Sequence, residues 1–423
     1  MKILLISQYF WPESFIINDL VKCIVTQGHT VEVLTGKPNY PDGAIFNGYS
    51  AAGCTTDYLD DIPVHRVPLF PRGKGGALRL AFNYLSFVLS GLLYFHRFIK
   101  RKEFDVIFVF APSPITSVIP AIYLKKRLKI PLALWVQDLW PESLNATGFI
   151  RNKFILRSIG RLVKKIYTPV DLLLVQSKAF FKPIAKYAAE EKILYYPNSY
   201  LEIQRDRQSD VIPEVLQVML DTHRCFVFAG NLGTAQSVET IVQAAEQLKH
   251  LPDCRLVLVG SGSMLGWIEQ EKKRKGLDNL ILAGRFPGSS MPCIFSRAAA
   301  LLVTLKKNEI FAYTIPSKIQ AYLAAGRPIL AALDGEGGRI IQEAGAGFSS
   351  PAEDGMALAK NIELLYYMSE LNRDKLGQSG RAYFLEHFEM ISQSRRLIEI
   401  FEEQIRDVQI VLSPEKGTNQ SRF

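Results

Sequence analysis

Residues 315–328 have the sequence IPSKIQAYLAAGRP, and they contain the pattern from which the fold can be predicted. Apolar runs that are typical of buried strands flank this stretch at residues 298–305 and 328–333. The capping-box pair Ser317 and Gln320 predicts that a helix begins at Ser317, between the two strands. A strand, a short helix and another strand form the repeating unit of a parallel α/β sheet, so we predict that architecture.

The N-terminus of this helix is a candidate anion site. Ligands of parallel α/β sheets bind beyond the carboxyl ends of the strands, where a helix N-terminus offers free N–H groups and partial positive charge. Lys318 in the first turn adds a full positive charge, so the pattern favours a phosphate group. The alternative is an ordinary capped helix of the core, because capping boxes are common.

The composition is that of a globular protein with room for two or three domains. The chain has 423 residues, of which 48% are hydrophobic and 22% are charged. Its five cysteines lie far apart without a CxxC pair, which argues against a zinc site or a disulfide framework and for a reducing compartment. Residues 1–200 contain 25 Lys and Arg against 14 Asp and Glu, whereas residues 201–423 contain 25 against 27. The net charge of +9 therefore comes from the first half, and either an anionic partner or a set of solvated helix faces would explain it.

The first half begins with a βαβ unit, in which strands at residues 2–7 and 30–34 flank a helix at residues 18–27. The turn after the first strand, residues 8–13, contains no glycine, which argues against an NAD-binding domain. Strands continue to alternate with helices, and the same alternation begins again at residue 224. We therefore predict an α/β protein with two doubly wound domains.

The most apolar helical stretch of the first half is Ala77–Phe98. Polar and charged residues interrupt it, and the part between them, residues 84–95, is too short to span a bilayer of about 30 Å. Basic residues at 100–102 follow, a combination that is typical of a helix lying in the membrane interface. The alternative is a buried helix that leads into the next strand.

These patterns divide the chain into five parts, and the last helix is expected to return to the N-terminal domain. The predicted bounds are an N-terminal domain at 1–200, a linker at 201–222, a C-terminal domain at 223–385, the returning helix at 386–405 and a disordered tail at 406–423.

The order and spacing of several short motifs resemble family 4 of the retaining glycosyltransferases. The resemblance covers about residues 1–400 and is closest to bacterial enzymes of O-antigen and capsule assembly, including those that transfer N-acetyl-L-fucosamine. It implies the GT-B fold, in which two Rossmann-like doubly wound domains face a cleft. The motifs that carry it are WPE at 11–13, GHTVEVLT at 28–35, PNYPDG at 38–43, QDLWPES at 137–143, PNS at 197–199, the glycine turns at 230–236, 260–262 and 284–286, and PSK at 316–318 followed by YLAAGRP at 322–328.

The resemblance also implies a reaction. A retaining transferase would move a sugar from a nucleotide, with UDP expected and UDP-N-acetyl-L-fucosamine as one candidate, to a glycan linked to polyprenyl diphosphate. The pathway would be surface-polysaccharide biosynthesis, either of lipopolysaccharide O-antigen or of capsule. The C-terminal domain would bind the donor, and the N-terminal domain would bind the acceptor. No Asp-x-Asp motif follows a strand, so we expect no metal and no other cofactor. The expected location is the inner face of the cytoplasmic membrane, with peripheral contact to anionic lipid and no nucleic-acid partner.

The resemblance is carried over residue by residue to three groups of candidates. Those expected in catalysis are Asp138, Glu309 and Lys318. Those expected at the donor diphosphate and nucleotide are Gly230, Asn231, Gly233, Gln236, Gly260, Arg285, Ser317, Lys318 and Gln320. Those expected on the acceptor side are Glu13, Asn39, Tyr40 and Gln137, the last standing where the family has a histidine.

The chain departs from the family pattern at positions that matter for the donor. Asn231 and Gln236 stand where the family has a phosphate-binding Arg and Lys. Ala321 stands where a glutamate normally holds the ribose, and the first glutamate of that pair would fall near Tyr313, four residues after Glu309. Two alternatives therefore remain open, a sugar-nucleotide epimerase of the same architecture and a non-catalytic sugar-nucleotide-binding partner.

Overall fold

The computed structural model describes residues 1–73, 76–99, 103–148, 150–202 and 212–412, with side chains up to residue 406. The basic residues predicted at 100–102, the part of the predicted linker at 203–211 and the end of the predicted tail (413–423) lie outside the described residues. The chain forms two compact units. The first comprises Met1–Gln176, Phe180–Tyr196 and the chain from Gln393 onward, and the second comprises Ser177–Ala179 and Pro197–Ser392.

Within the described residues, the first unit is built on one eight-stranded sheet. Its strands are β1 (Lys2–Ile6), β2 (Thr30–Thr35), β3 (Thr55–Leu59), β4 (Ile62–Arg66), β5 (Val106–Ala111), β6 (Leu132–Val136), β7 (Leu172–Val175) and β8 (Ile193–Tyr195). They lie in the order β3-β4-β2-β1-β5-β6-β7-β8. All neighbours pair in parallel except β3 and β4, which form an antiparallel hairpin at the edge. That hairpin was not predicted, because β3 is a largely polar, exposed edge strand without an apolar run.

Helices cover both faces of the first sheet. They are α1 (Ile16–Thr26), α2 (Ala77–Phe98), α3 (Ile119–Leu128), α4 (Glu142–Ala146), α5 (Lys153–Tyr167) and α6 (Phe181–Ala185). The crossover from β1 to β2 runs along the sheet in the opposite direction to those from β4 to β5, β5 to β6 and β6 to β7. Because such crossovers are right-handed, α1 lies on one face and α2, α3 and α5 lie on the other.

The described part of the second unit contains a six-stranded sheet in which all neighbouring strands pair in parallel. Its strands, in the order β11-β10-β9-β12-β13-β14, are β9 (Arg224–Ala229), β10 (Cys254–Val259), β11 (Leu280–Gly284), β12 (Ala300–Thr304), β13 (Ile329–Ala332) and β14 (Gly347–Ser350). Its helices are α7 (Glu214–Thr222), α8 (Val238–Gln247), α9 (Leu265–Lys275), α10 (Met291–Arg297), α11 (Glu309–Tyr313), α12 (Ser317–Ala324), α13 (Glu336–Glu343), α14 (Gly355–Tyr367) and α15 (Glu370–His387). The prediction of two Rossmann-like domains is confirmed.

Three predicted segment assignments are wrong. The second half of the predicted linker forms α7, because Leu216 and Leu220 are buried in the core of the second unit. The predicted tail from residue 406 begins inside a helix, α16 (Met390–Leu412), which continues to residue 412. This helix begins later than the predicted residue 386, because α15 ends at His387 and Phe388 bonds to Tyr200 instead.

The first turn of α16 joins the chain back to the first unit. Gln27 Nε2 donates a hydrogen bond of 2.7 Å to Ser394 Oγ. The rings of Phe108 on β5 and Phe401 on α16 lie 5.3 Å apart in an edge-to-face arrangement. Leu397 and Phe401 are fully buried, so α16 belongs to the core of the first unit.

Candidate functional site

Helix α12 begins at Ser317, but the predicted capping box does not form. Pro316 occupies the N-cap with a φ of −59°, and no side chain caps the helix. The side chain of Ser317 is exposed, whereas Gln320 is buried and its Nε2 donates to the Asn198 carbonyl at 3.1 Å. The fixed φ of proline, rather than a hydroxyl cap, therefore marks the start of this helix.

Tyr322, one turn further along α12, holds the helix against the end of β9. Its ring is completely buried, and its hydroxyl accepts a hydrogen bond of 3.1 Å from the Ala229 amide. Ala229 is the last residue of β9, so this contact brings the first turn of α12 to the carboxyl end of that strand. This is the edge of a parallel sheet where ligands bind.

Lys318 lies at this strand end in an enclosed position. Its Nζ is 3.8 Å from the centre of the Phe228 ring, and it donates a hydrogen bond to Gln236 Oε1. In the part of the chain that the structure describes, no carboxylate pairs with this amine. Burial lowers the pKa of Lys318 to about 7, although the ring contact favours the charged form. Lys318 is therefore a partly buried amine without a counter-charge among the described residues.

Three glycine turns bring the ends of β9, β10 and β11 together. The Gly230 amide donates to the Val259 carbonyl at 2.9 Å, and the Gly260 amide donates to the Gly284 carbonyl at 2.7 Å. A Cβ on Gly260 would lie 1.8 Å from the Gly230 carbonyl oxygen, so only glycine allows this approach. Gly233 precedes the short 3-10 turn Thr234–Gln236, which places Gln236 beside Lys318.

A surface pocket of about 330 Å³ opens next to these turns. Four of the predicted donor-binding residues lie in its wall, together with four residues that were not predicted. The wall consists of Gly230, Asn231, Val259, Gly260, Ser261, Arg285, Phe286 and Met291. The guanidinium of Arg285 gives this pocket a positive charge, which suits an anionic ligand.

Glu309 does not lie in the wall of this pocket. It is the first residue of the five-residue helix α11, its side chain is exposed, and it accepts a hydrogen bond of 2.6 Å from Tyr313 Oη. Lys306, three residues earlier, forms ion pairs of 3.1 Å with both Glu239 and Glu353. The unpaired amine of Lys318 thus contrasts with the paired amine of Lys306.

Glu13 joins two loops of the first unit. Its Oε1 accepts hydrogen bonds of 2.7 Å from the amides of Asn39 and Tyr40, and its Oε2 accepts one of 3.2 Å from the Phe10 amide. Burial raises the pKa of Glu13 to about 7, against the effect of these three donors. Glu13 therefore holds the loops after β1 and β2 in place. Glu13 and Asn39 are both buried, contrary to the prediction that they face the acceptor, whereas Tyr40 is exposed.

Gln137 and Asp138 follow β6 directly, as predicted. Asp138 accepts a hydrogen bond of 3.0 Å from Trp140 Nε1, and burial raises its pKa above the usual value. The Nε2 of Gln137 is buried without a hydrogen-bond partner among the described residues, although its main-chain carbonyl accepts from Gln176 at 2.7 Å. A buried amide donor without a partner marks a position where a ligand oxygen would be stabilised.

A cluster around Arg72 was not predicted. Its guanidinium lies 5.8 Å from the Tyr9 ring and 5.1 Å from the Tyr40 ring, and its Nη1 donates to Tyr9 Oη at 3.1 Å. Burial raises the pKa of Tyr84, and the charge of Arg72 acts against that rise. No carboxylate pairs with Arg72 in the described part of the unit. The aromatic residues of the loop after β1 were the one sequence signal that pointed to this cluster.

Metal ligands do not cluster in the described residues, where no three His, Cys, Asp or Glu side chains come together in a way that could hold an ion. Metal independence stays a prediction that chelation has to test.

Comparison with known proteins agrees with this geometry. Residues 223–367 match the family model described as "Glycosyl transferases group 1", and residues 15–198 match the one described as "Glycosyl transferase 4-like domain". Together the two matches span most of the chain and confirm the predicted resemblance.

Two named proteins and one solved structure are similar over most of their length. A probable glycosyltransferase of Pseudomonas aeruginosa, WbjE, is 26% identical over 75% of this chain and 79% of its own. A candidate colanic acid biosynthesis glycosyl transferase of Escherichia coli K12, WcaI, is 24% identical over 77% of this chain and 82% of its own. The crystal structure of Anabaena HepE with UDP has a TM-score of 0.66, at 14% identity over 95% of this chain and all of that one, which confirms the GT-B fold.

Proposed function

Because the chain belongs to the group 1 glycosyltransferases, we propose that it moves a sugar from a nucleotide donor to a growing glycan in surface-polysaccharide assembly. The relative WcaI supports this pathway, since it is named for colanic acid biosynthesis, and the relative WbjE supports the transferase activity. Structures of HepE with UDP and with UDP-glucose support UDP as the carrier. The donor sugar is a hexose or an N-acetylated amino sugar, with N-acetyl-L-fucosamine as the candidate that the motifs favour.

The position of Lys318 is the observation that carries the proposal. In nucleotide-sugar transfer, negative charge builds up on the diphosphate as the bond to the sugar breaks. Lys318 is a partly buried amine without a carboxylate partner among the described residues, and it lies at a strand end beside Gly230, which lines the pocket. Preorganised donors of this kind stabilise developing charge most strongly in enclosed surroundings.

The diphosphate would lie across the N-terminus of α12 and the turn at 230–236. Lys318 and the main-chain N–H groups would replace the metal that other transferases use, so we propose a metal-independent reaction. We also propose that the product keeps the anomeric configuration of the donor, as in family 4. Asn231 and Gln236 would then act by hydrogen bonding, since neither carries a charge.

The first unit would bind the acceptor through the cluster around Arg72. A guanidinium that lies over two tyrosine rings and has no carboxylate partner among the described residues suits an acidic group, such as the diphosphate that links a glycan to its polyprenyl carrier. Asp138 and the unpartnered Nε2 of Gln137 would bind sugar hydroxyls.

Sugar transfer to a defined acceptor tests the proposal. The purified protein is incubated with UDP-, GDP- or dTDP-sugars and a polyprenyl-diphosphate-linked monosaccharide, and mass spectrometry follows the acceptor. We expect the acceptor to gain one sugar, with the anomeric configuration retained by NMR. Turnover should be unchanged in EDTA. Lys318→Ala should lose transfer while its circular dichroism spectrum stays that of the wild type. A new sugar nucleotide formed without any acceptor would show an epimerase instead. Tight donor binding without turnover on any acceptor would show a non-catalytic binding protein.

A further inference from the structure

Helix α2 presents a row of large apolar side chains to solvent. The row, here called the apolar face, consists of Leu78, Phe82, Leu85, Leu89 and Leu93. These residues recur every three or four positions and therefore lie along one side of the helix. Their exposed fractions run from 50% at Leu89 to 77% at Leu78. An exposed row of this size marks an interaction surface.

The opposite side of α2 is held firmly by the first unit. Phe87 and Phe95 are fully buried against each other, with ring centroids 5.9 Å apart. Asn83 is also fully buried, accepts a hydrogen bond of 2.8 Å from Gln8 Nε2 and donates one of 2.6 Å to the Phe70 carbonyl. Helix α2 is continuous, and by length and composition it is long enough to cross a membrane, contrary to the expectation from residues 84–95. Crossing would break these contacts, so α2 lies along a surface and offers one side.

Helix α5 supplies positive charge on the same face of the sheet as α2. Both helices pack against the 3-10 turn Ile115–Val118, and α3 lies between them in the order of crossovers. Phe154 and Ile155 are exposed at the start of α5. The helix also exposes five basic side chains and contains no acidic residue; the five are Lys153, Arg157, Arg161, Lys164 and Lys165.

We propose that α2 and α5 bind the surface of an anionic lipid bilayer. The apolar face would enter the boundary between headgroups and acyl chains, and the basic side chains of α5 would contact lipid phosphates. The positive charge of α5 favours an anionic bilayer over a second copy of the chain as the partner of this surface. Self-association through this surface would bring the uncompensated basic residues of both copies together, whereas an anionic bilayer complements them.

Vesicle flotation with the full chain tests the proposal. We expect binding to vesicles in which about a third of the phosphatidylcholine is replaced by phosphatidylglycerol, weak binding to phosphatidylcholine alone, and release at about 1 M salt, where the Debye length falls to about 3 Å. Sodium carbonate should also release the protein, since α2 does not cross the bilayer. Binding requires no sugar nucleotide, so its outcome is independent of the transfer assay.

Two pairs of variants distinguish binding through α2 and α5 from the general effect of replacing exposed leucines or reversing surface charges. Leu85→Ser/Leu89→Ser/Leu93→Ser should weaken partitioning by about tenfold for each leucine that inserts. Its control, Leu364→Ser/Leu371→Ser/Leu385→Ser, changes leucines of similar exposure in the second unit and should bind like wild type. Arg157→Glu/Arg161→Glu/Lys165→Glu should weaken binding to anionic vesicles by at least about a hundredfold, because each lost positive charge weakens it by about fivefold. Its control, Lys273→Glu/Lys360→Glu/Lys375→Glu, makes the same change of charge on exposed residues of the second unit.

Three outcomes would overturn the proposal. The first is an absence of binding to anionic vesicles at low salt. The second is equal weakening by each variant and its control. The third is a dimer, measured by light scattering, that the α2 substitutions abolish, because it would show that a second copy covers the apolar face.

Discussion

Gly230 leaves the space that Lys318 occupies: a methyl group on Gly230 would lie 2.7 Å from Lys318 Cε and 3.1 Å from its Nζ. Gly230 also has a φ of +136°, a backbone conformation that residues with a Cβ atom rarely adopt. We therefore expect Gly230→Ala to displace the lysine and to lower kcat/KM for sugar transfer by at least about tenfold. Steady-state kinetics with the lipid-linked acceptor measures this loss.

Gly276→Ala is the matched control for that change. Gly276 has a φ of +58° and ends α9 with no atom near its missing Cβ, so the alanine is strained but touches nothing. It should cost about 1 kcal/mol of stability and leave kcat/KM unchanged. Equal activity losses in the two variants would show that backbone strain, and not the lysine, accounts for the effect.

The partly buried amine of Lys318 should make the protein less stable than it could be. We expect Lys318→Met to raise the free energy of unfolding by about 2 kcal/mol near pH 6 and to abolish transfer. The gain is smaller than the pKa shift alone implies, because Gln236 and Phe228 stabilise the ammonium.

The pH dependence of that gain has a defined sign. The folded pKa is about 7 and the ordinary value is 10.5, so between them the unfolded wild type holds a proton that the folded protein lacks. The stability of the wild type therefore rises with pH across this window, and the advantage of Lys318→Met should shrink there. Urea unfolding of both proteins from pH 6 to 10 measures this advantage. A difference in the free energy of unfolding that stays constant with pH would contradict a depressed pKa of Lys318.

Donor binding should depend on pH through the same group. A bound diphosphate requires the ammonium form, so binding above pH 7 takes up a proton and the Kd for a UDP-sugar should rise by about tenfold per pH unit. Calorimetry in two buffers of different ionisation enthalpy would detect an uptake of about one proton near pH 8. Lys318→Arg, which stays charged, should bind with little pH dependence. If wild type and Lys318→Arg showed the same profile, another group would be titrating.

Arg72 should affect the acceptor and not the donor. Removing a charge-assisted contact costs about 1.5–3 kcal/mol, so Arg72→Ala should raise the KM for the acceptor by at least about tenfold and leave the Kd for the donor unchanged. Arg127→Ala, which removes an exposed arginine from α3 of the same unit, is the control. An unchanged acceptor KM in Arg72→Ala would place the acidic group of the acceptor elsewhere.

The sequence predicted the strands and the end of the sheet where Lys318 lies, because apolar runs and glycine turns are local signals. It did not predict that Phe228 lies under the amine or that Tyr322 bonds to Ala229, since each pair is about ninety residues apart and meets only when β9 and α12 pack. The capping box failed for a related reason. Gln320 is buried and bonds to Asn198, so tertiary packing overrides the local pattern.

The cluster around Arg72 could not be found from spacing. Tyr9, Tyr40 and Arg72 come from separate loops, and no motif links them. The opposite error occurred at Glu13, where a motif glutamate was expected to face the acceptor. Its burial and its three main-chain hydrogen bonds show that this motif residue instead joins the loops after β1 and β2.

Helix α16 has a consequence for the order in which the protein folds during synthesis. The first unit requires Leu397 and Phe401 in its core, so a chain still on the ribosome must wait for these residues before that unit is complete. Along the sequence, most of the second unit precedes the last part of the first, so the second unit can complete its own sheet earlier. Until α16 arrives, the side of β5 that Phe401 covers would stay open to solvent, and exposed apolar surface of this kind favours aggregation.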